Sequence, residues 1–140
     1  MTTTAELMRI LLVEDSLADV ELTLEALQDA KVANEVTVVR DGAAAIELLR
    51  AGPDTPDLVI LDLNLPCLSG HDVLAAMRAD ETLRRIPVAV LTTSSAESDV
   101  VKTYDLGANC FLTKPVEIDQ FIHVVQSIDT FWLGLVRLPQ

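Results

Sequence analysis

At 140 residues, half of them apolar, the chain has the size and make-up of one globular domain with a real core, which excludes a disordered segment and leaves no length for a second module. Ten basic residues against twenty-two acidic ones give a net charge of −12, a balance that repels phosphate backbones and argues against direct nucleic-acid binding. No apolar run approaches the ~20 residues of a membrane helix, and Met1 to Glu6 carries neither a basic region nor an apolar stretch suited to a signal peptide, so the expected setting is cytoplasmic and away from membranes.

The first strand is expected at Ile10-Leu11-Leu12-Val13, apolar throughout and running straight into Glu14-Asp15-Ser16. Leu17, Val20, Leu22, Leu24 and Leu27 then recur at mostly helical intervals, with Ser16 or Asp15 as N-cap, and predict an amphipathic helix to about Ala30. Its acids Asp19, Glu21, Glu25 and Asp29 read as a solvated face. Glu35 to Val39 reads as an edge or flanking strand, followed by Asp41-Gly42 and a helix over 43–50 that Gly52-Pro53 ends.

Leu58-Val59-Ile60-Leu61 is a third strand, and it delivers Asp62 into a loop of Asn64, Pro66, Cys67, Ser69 and Gly70. A helix from His71 to about Met77 or Arg78 follows, then a strand Val88 to Leu91 that runs into Thr92-Thr93-Ser94-Ser95. The next helix spans about 97–106 and stops at Gly107, suited to a left-handed cap. The last strand, Cys110 to Thr113, leads through Lys114-Pro115 to a helix carrying Ile118, Phe121, Ile122, Val125 and Ile128. Cys67 and Cys110 lack metal-ligand spacing and fit reduced thiols. His71 and His123, each alone on a helix, read as rim or exposed residues.

Five strands alternating with five helices predict a flavodoxin-like, doubly wound α/β sheet, (βα)5, for which the order 2-1-3-4-5 suits five parallel strands. That order brings Glu14 and Asp15 beside Asp62 at the carboxyl edge, with Thr92 and Lys114 arriving from the next strands. Three carboxylates this close repel one another, and a hard divalent cation relieves the conflict. Mg²⁺, with Mn²⁺ able to replace it, suits a shell of carboxylates, a carbonyl near Asn64 and waters, leaving places for phosphoryl oxygens. Lys114 and the Thr92 hydroxyl match the remaining charge, and Asp62, central among them, is the candidate nucleophile for an acyl phosphate.

These residues resemble the receiver domain, the phosphoacceptor module of two-component response regulators. The likeness is carried by Leu12-Val13-Glu14-Asp15-Ser16, Leu61-Asp62-Leu63-Asn64-Leu65-Pro66 with Ser69-Gly70, Leu91-Thr92 and Thr113-Lys114-Pro115, over roughly residues 8 to 129. It implies that Asp62 takes a phosphoryl group from a histidine of a sensor kinase or of a histidine phosphotransfer protein. It further implies that Asp15, Asp62 and the Asn64 carbonyl hold Mg²⁺, with Glu14 acting through bound water, that Thr92 is the switch hydroxyl, that Lys114 pairs with phosphate, and that the bond to Pro115 is cis. Phe111 stands where chemotaxis-type receivers often have Tyr, and Thr93 where Ala or Gly is common. The larger Thr93 is expected to slow water or donor access and lengthen the life of the phosphoryl group.

A single receiver domain is expected over 1–140, with its core at about 8–129 and an apolar C-terminal arm at 130–140. Phe131, Trp132, Leu133, Leu135 and Val136 exceed what one helix face can hide, and a second protomer is the expected cover. The Phe-Trp tail ending in Leu-Pro, together with Leu91 to Ser94, is similar to stand-alone regulators paired with bacterial and cyanobacterial phytochromes. This implies a phytochrome histidine kinase as donor, a homodimer, and output by protein contact rather than catalysis. The competing readings are a Mg²⁺-dependent phosphohydrolase of the haloacid-dehalogenase type, a flavodoxin-like electron carrier, and an interaction module independent of phosphorylation. The first needs a second acid where Asn64 stands, and the second needs a phosphate loop where Glu14 and Asp15 stand.

Overall fold

Strands and helices alternate along a computed structural model, which describes residues 8–29, 33–51, 55–93, 97–115 and 117–128. The strands are β1 (Met8–Val13), β2 (Asn34–Val39), β3 (Leu58–Leu61), β4 (Val88–Thr92) and β5 (Cys110–Thr113). The helices are α1 (Leu17–Gln28), α2 (Gly42–Ala51), α3 (Gly70–Ala79), α4 (Glu97–Asp105) and α5 (Ile118–Ile128). All strand pairs are parallel and the order is β2-β1-β3-β4-β5, so the flavodoxin-like α/β expectation holds.

The three central strands are apolar at nearly every position because both faces are covered. Ile10, Leu12, Leu58, Ile60, Ala89 and Leu91 face one way, onto Val20, Ala26 and Leu27 of α1 and Phe121, Val125 and Ile128 of α5. The alternate residues Leu11, Val13, Val59, Leu61, Val88 and Val90 face the other way, onto Ala45 and Leu49 of α2 and Val73, Leu74 and Met77 of α3. Period-two alternation of side chains thus feeds two cores from one continuous apolar run. Truncating a fully buried leucine or isoleucine among them, Leu61→Ala for example, is expected to cost ~2–5 kcal/mol.

Local chemistry sets the helix starts. Ser16 caps α1 in extended conformation and its hydroxyl accepts the Asp19 N–H. Ser69 and Asp72 form a reciprocal capping box at α3. Gly70 has no alternative side chain, because a Cβ there would stand 2.3 Å from the Asp62 carbonyl oxygen. Gly107 follows α4 at φ +93°, the left-handed geometry expected of it.

One short element was not anticipated, a 3-10 turn over Leu83–Arg85. Asp80 nucleates it by accepting from the Thr82 hydroxyl and the Thr82 and Leu83 amides, bonds that hold the Asp80 carboxyl below its ordinary range. The first helix stops at Gln28 rather than Ala30. Gly52-Pro53, Ser94 and Ser95, and the arm with Phe131, Trp132, Leu133, Leu135 and Val136 lie outside the described residues.

Candidate functional site

The acids sit one residue beyond their strands, yet their amides continue the ladder. Val13 is in register with Leu61, and the next N–H along, that of Asp62, donates to the Val13 carbonyl at 3.0 Å. The Glu14 N–H donates to Val39 at 3.0 Å, and the Lys114 N–H to the Thr92 carbonyl at 2.7 Å. Strand pairing therefore fixes where Glu14, Asp62, Thr92 and Lys114 begin, and all four side chains are buried at the carboxyl edge.

The carboxylates converge on the Lys114 ammonium. It donates to Glu14 Oε1, to Asp62 Oδ2 at 3.1 Å and to Asp19 Oδ2 at 2.8 Å. The remaining Glu14 oxygen accepts the Ser16 N–H at 3.1 Å, and Asp62 Oδ1 accepts the Asn64 N–H at 3.2 Å. Burial pushes the Glu14 carboxyl up to about 7; the Lys114 ammonium works against that rise and the Asp62 charge adds to it. Burial by itself would pull the Lys114 amine down, but hydrogen bonds to Asp19 and Glu14 and the Asp62 charge outweigh it and raise its pKa.

Asp19 is the residue that sequence reasoning missed. The helix pattern puts it on a solvated face, whereas its side chain is half-buried against the lysine. The signal was available: with Ser16 as N-cap, Asp19 occupies the third helical position, whose side chain turns back toward the helix start and hence toward the strand ends.

The other anticipated residues are arranged around the mouth. Asp15 is exposed beside Glu14, and its carbonyl accepts from the Arg40 guanidinium at 3.1 Å. Asn64 reaches across to Thr93, its amide donating to the Thr93 hydroxyl at 3.4 Å. Phe111 is half-buried against the core on the α2 and α3 side, and its N–H donates to the Tyr104 hydroxyl at 3.2 Å, so a phenol from α4 serves this position although residue 111 itself has none. His71 is more engaged than a rim residue: Nε2 lies 3.2 Å from the Thr103 hydroxyl, which already donates to the Asp99 carbonyl, so the imidazole is the donor.

One expectation is corrected. No peptide bond among the described residues is cis, so Lys114–Pro115 is trans. Trans is the lower-energy isomer of an X-Pro bond by ~0.5–1 kcal/mol, and from it Lys114 already reaches all three acids.

Among the described residues no three His, Cys, Asp or Glu side chains form a ready-made metal cage, because the acids close on the ammonium instead. The donor set nonetheless fits a hard divalent cation of the Mg²⁺ or Mn²⁺ kind, which needs only one or two carboxylates and keeps several waters. Two buried carboxylates share the centre, and the Asp62 charge already opposes ionisation of Glu14.

A family model described as the response regulator receiver domain matches residues 10–126. The response regulator Rcp1 of Synechocystis sp. is 44% identical over 135 residues, covering 93% of this chain and 92% of that protein. The crystal structure of its Mn(2+)-bound form superposes with a TM-score of 0.91 at 43% identity, over 95% of this chain and 99% of that one. The phosphorylated cyanobacterial phytochrome response regulator RcpA superposes with a TM-score of 0.93 at 45% identity, over 96% of this chain and all of that one, 100%.

Proposed function

The chain belongs to the response regulator receiver domain family, and from that premise we propose that it takes a phosphoryl group from a phosphohistidine of a sensor kinase onto Asp62. The observation that carries this is the meeting of Glu14, Asp62 and Lys114 at the ends of three separate strands, with the Thr92 backbone bonded to Lys114. In the transfer an Asp62 carboxylate oxygen forms the new bond to phosphorus as the bond from phosphorus to the imidazole nitrogen breaks, and the electron pair stays on that nitrogen. Lys114 supplies positive charge to a phosphoryl oxygen, and the Thr92 hydroxyl donates to another. A divalent cation, Mg²⁺ by preference, would be held by Asp15, Asp62 and the Asn64 carbonyl with Glu14 behind it, and would neutralise charge on the transferring group.

The phosphohydrolase alternative requires an acid two residues after the nucleophile, where Asn64 has an amide bonded to Thr93. The role is accordingly signalling. The donor we favour is a phytochrome histidine kinase, supported by the likeness to RcpA. A histidine phosphotransfer protein offers the same phosphoimidazole and is a second source. We also favour one receiver domain over 1–140 whose arm, residues 130–140, pairs with a second protomer in a homodimer. Size-exclusion chromatography of a chain truncated after Asp129 tests this, and an unchanged dimer removes the arm from the interface.

Acetyl phosphate with Mg²⁺ tests the acceptor. Mass spectrometry should find one added phosphoryl group on the wild type and none on Asp62→Asn. Equal labelling of both would move the acceptor elsewhere.

A further inference from the structure

An ammonium has three hydrogens to give, and Lys114 has given all three. Its acceptors are Glu14 Oε1, Asp19 Oδ2 and Asp62 Oδ2. If Lys114 is to meet a phosphoryl oxygen, as the phosphoacceptor reading on which this inference rests requires, one acceptor has to let go. The carboxylate that does so needs replacement hydrogen bonds from water, since an unpaired buried charge is costly.

Access to water separates the three. The side chains of Glu14 and Asp62 are 3% and 8% exposed, whereas that of Asp19 is 24% exposed. Glu14 is also tied by its second oxygen to the Ser16 N–H, and Asp62 to the Asn64 N–H. Apart from Lys114, Asp19 is tied among the described residues through its backbone: its N–H donates to the Ser16 hydroxyl and its carbonyl accepts from the Thr23 hydroxyl at 2.7 Å. Its carboxylate can swing away without disturbing the start of α1.

We propose that Asp19 is a positioning residue that holds the Lys114 ammonium before phosphorylation and surrenders it to the incoming phosphoryl group, so that its carboxylate competes with phosphorylation. Such a residue tunes how readily the acceptor site fills without touching the reacting atoms.

The test uses the full chain with Mg²⁺ and beryllofluoride, a small-anion mimic of the phosphoryl group. Removing the competitor in Asp19→Asn should tighten beryllofluoride binding by about threefold to fivefold, the scale of a partly exposed ion pair. It should also lower the half-saturating acetyl phosphate concentration while leaving the maximal rate nearly unchanged. Asp19→Glu, which restores the charge, should return both values toward wild type. A purely structural bond would shift the unfolding midpoint and leave affinity alone, and unchanged or weaker binding by Asp19→Asn overturns the proposal.

A crystal structure of the wild type with Mg²⁺ and beryllofluoride decides the matter even if the variants fold poorly. Lys114 Nζ should contact the mimic with Asp19 Oδ2 beyond hydrogen-bond reach, and a retained contact overturns the proposal. Failure of the wild type to bind beryllofluoride overturns the phosphoacceptor reading and this inference together. Wild-type binding with no gain in Asp19→Asn overturns this inference alone.

Discussion

Glu14 and Asp62 end adjacent parallel strands and share one ammonium, that of Lys114. Burial pushes the Glu14 carboxyl up to about 7, the neighbouring Asp62 charge adds to that rise, and the shared ammonium only partly offsets it.

Stability should therefore fall as pH rises through the window from 4.5 to about 7. Across it the folded protein retains a proton on Glu14 that the unfolded chain has released, and linkage makes the slope negative. The loss attributable to Glu14 is on the order of 2–3 kcal/mol. Urea unfolding of wild type and Glu14→Gln at closely spaced pH values checks it: the variant should lose this slope and match or exceed wild-type stability above pH 7.

Lys114→Met should strip the cluster of its cation and leave Glu14, Asp19 and Asp62 facing one another. Removing one partner of a buried ion pair costs on the order of 3 kcal/mol. Chemical denaturation should show that loss near pH 8 and a smaller one near pH 5, where Glu14 takes up a proton. Phosphorylation by acetyl phosphate should drop as well.

Gly70→Ala places a methyl 2.3 Å from the Asp62 carbonyl oxygen and 2.6 Å from the Leu63 Cα, both rigid backbone. Overpacking of this kind costs ~1–3 kcal/mol. Because the displaced carbonyl belongs to the acceptor, phosphorylation should slow along with the drop in unfolding midpoint. A variant that loses stability but keeps its full rate would separate the two.

Arg78 ties the end of α4 to α3, its guanidinium donating twice to the Gly107 carbonyl, at 2.7 and 3.2 Å, and also to the Arg84 and Ile86 carbonyls. Arg78→Ala should cost ~1.5–3 kcal/mol in equilibrium unfolding. Arg78→Lys should recover less than half, since a point charge cannot span three carbonyls.

Thr93→Ala removes the hydroxyl that accepts from Asn64 across the mouth of the site. Phosphate loss from the labelled protein should quicken roughly threefold to tenfold, equivalent to ~1 kcal/mol of barrier. An unchanged lifetime would show that residue 93 does not limit water access.

The strands and their order were legible because burial on both faces forces an unbroken apolar run, and runs such as Leu58 to Leu61 have almost no other explanation. Glu14, Asp62 and Thr92 were legible because each follows such a run directly, and Lys114 because it stands at the end of the last strand before Pro115. Asp19 was not: on a helix an acid every few residues looks solvated, and only the N-cap at Ser16 tells which one turns inward. Tyr104 and Arg78 were hidden for another reason. Their partners are backbone groups of other elements, which no hydrophobic period or cap signal encodes.

The bond from the Phe111 amide to the Tyr104 hydroxyl bears on how copies of this chain can meet. The fifth strand lies at the rim of the sheet, where a free amide invites another chain to zip on in register. At residue 111 that invitation is already answered by a phenol from the same molecule. Growth of the sheet from one molecule to the next is blunted at that position of the β5 edge.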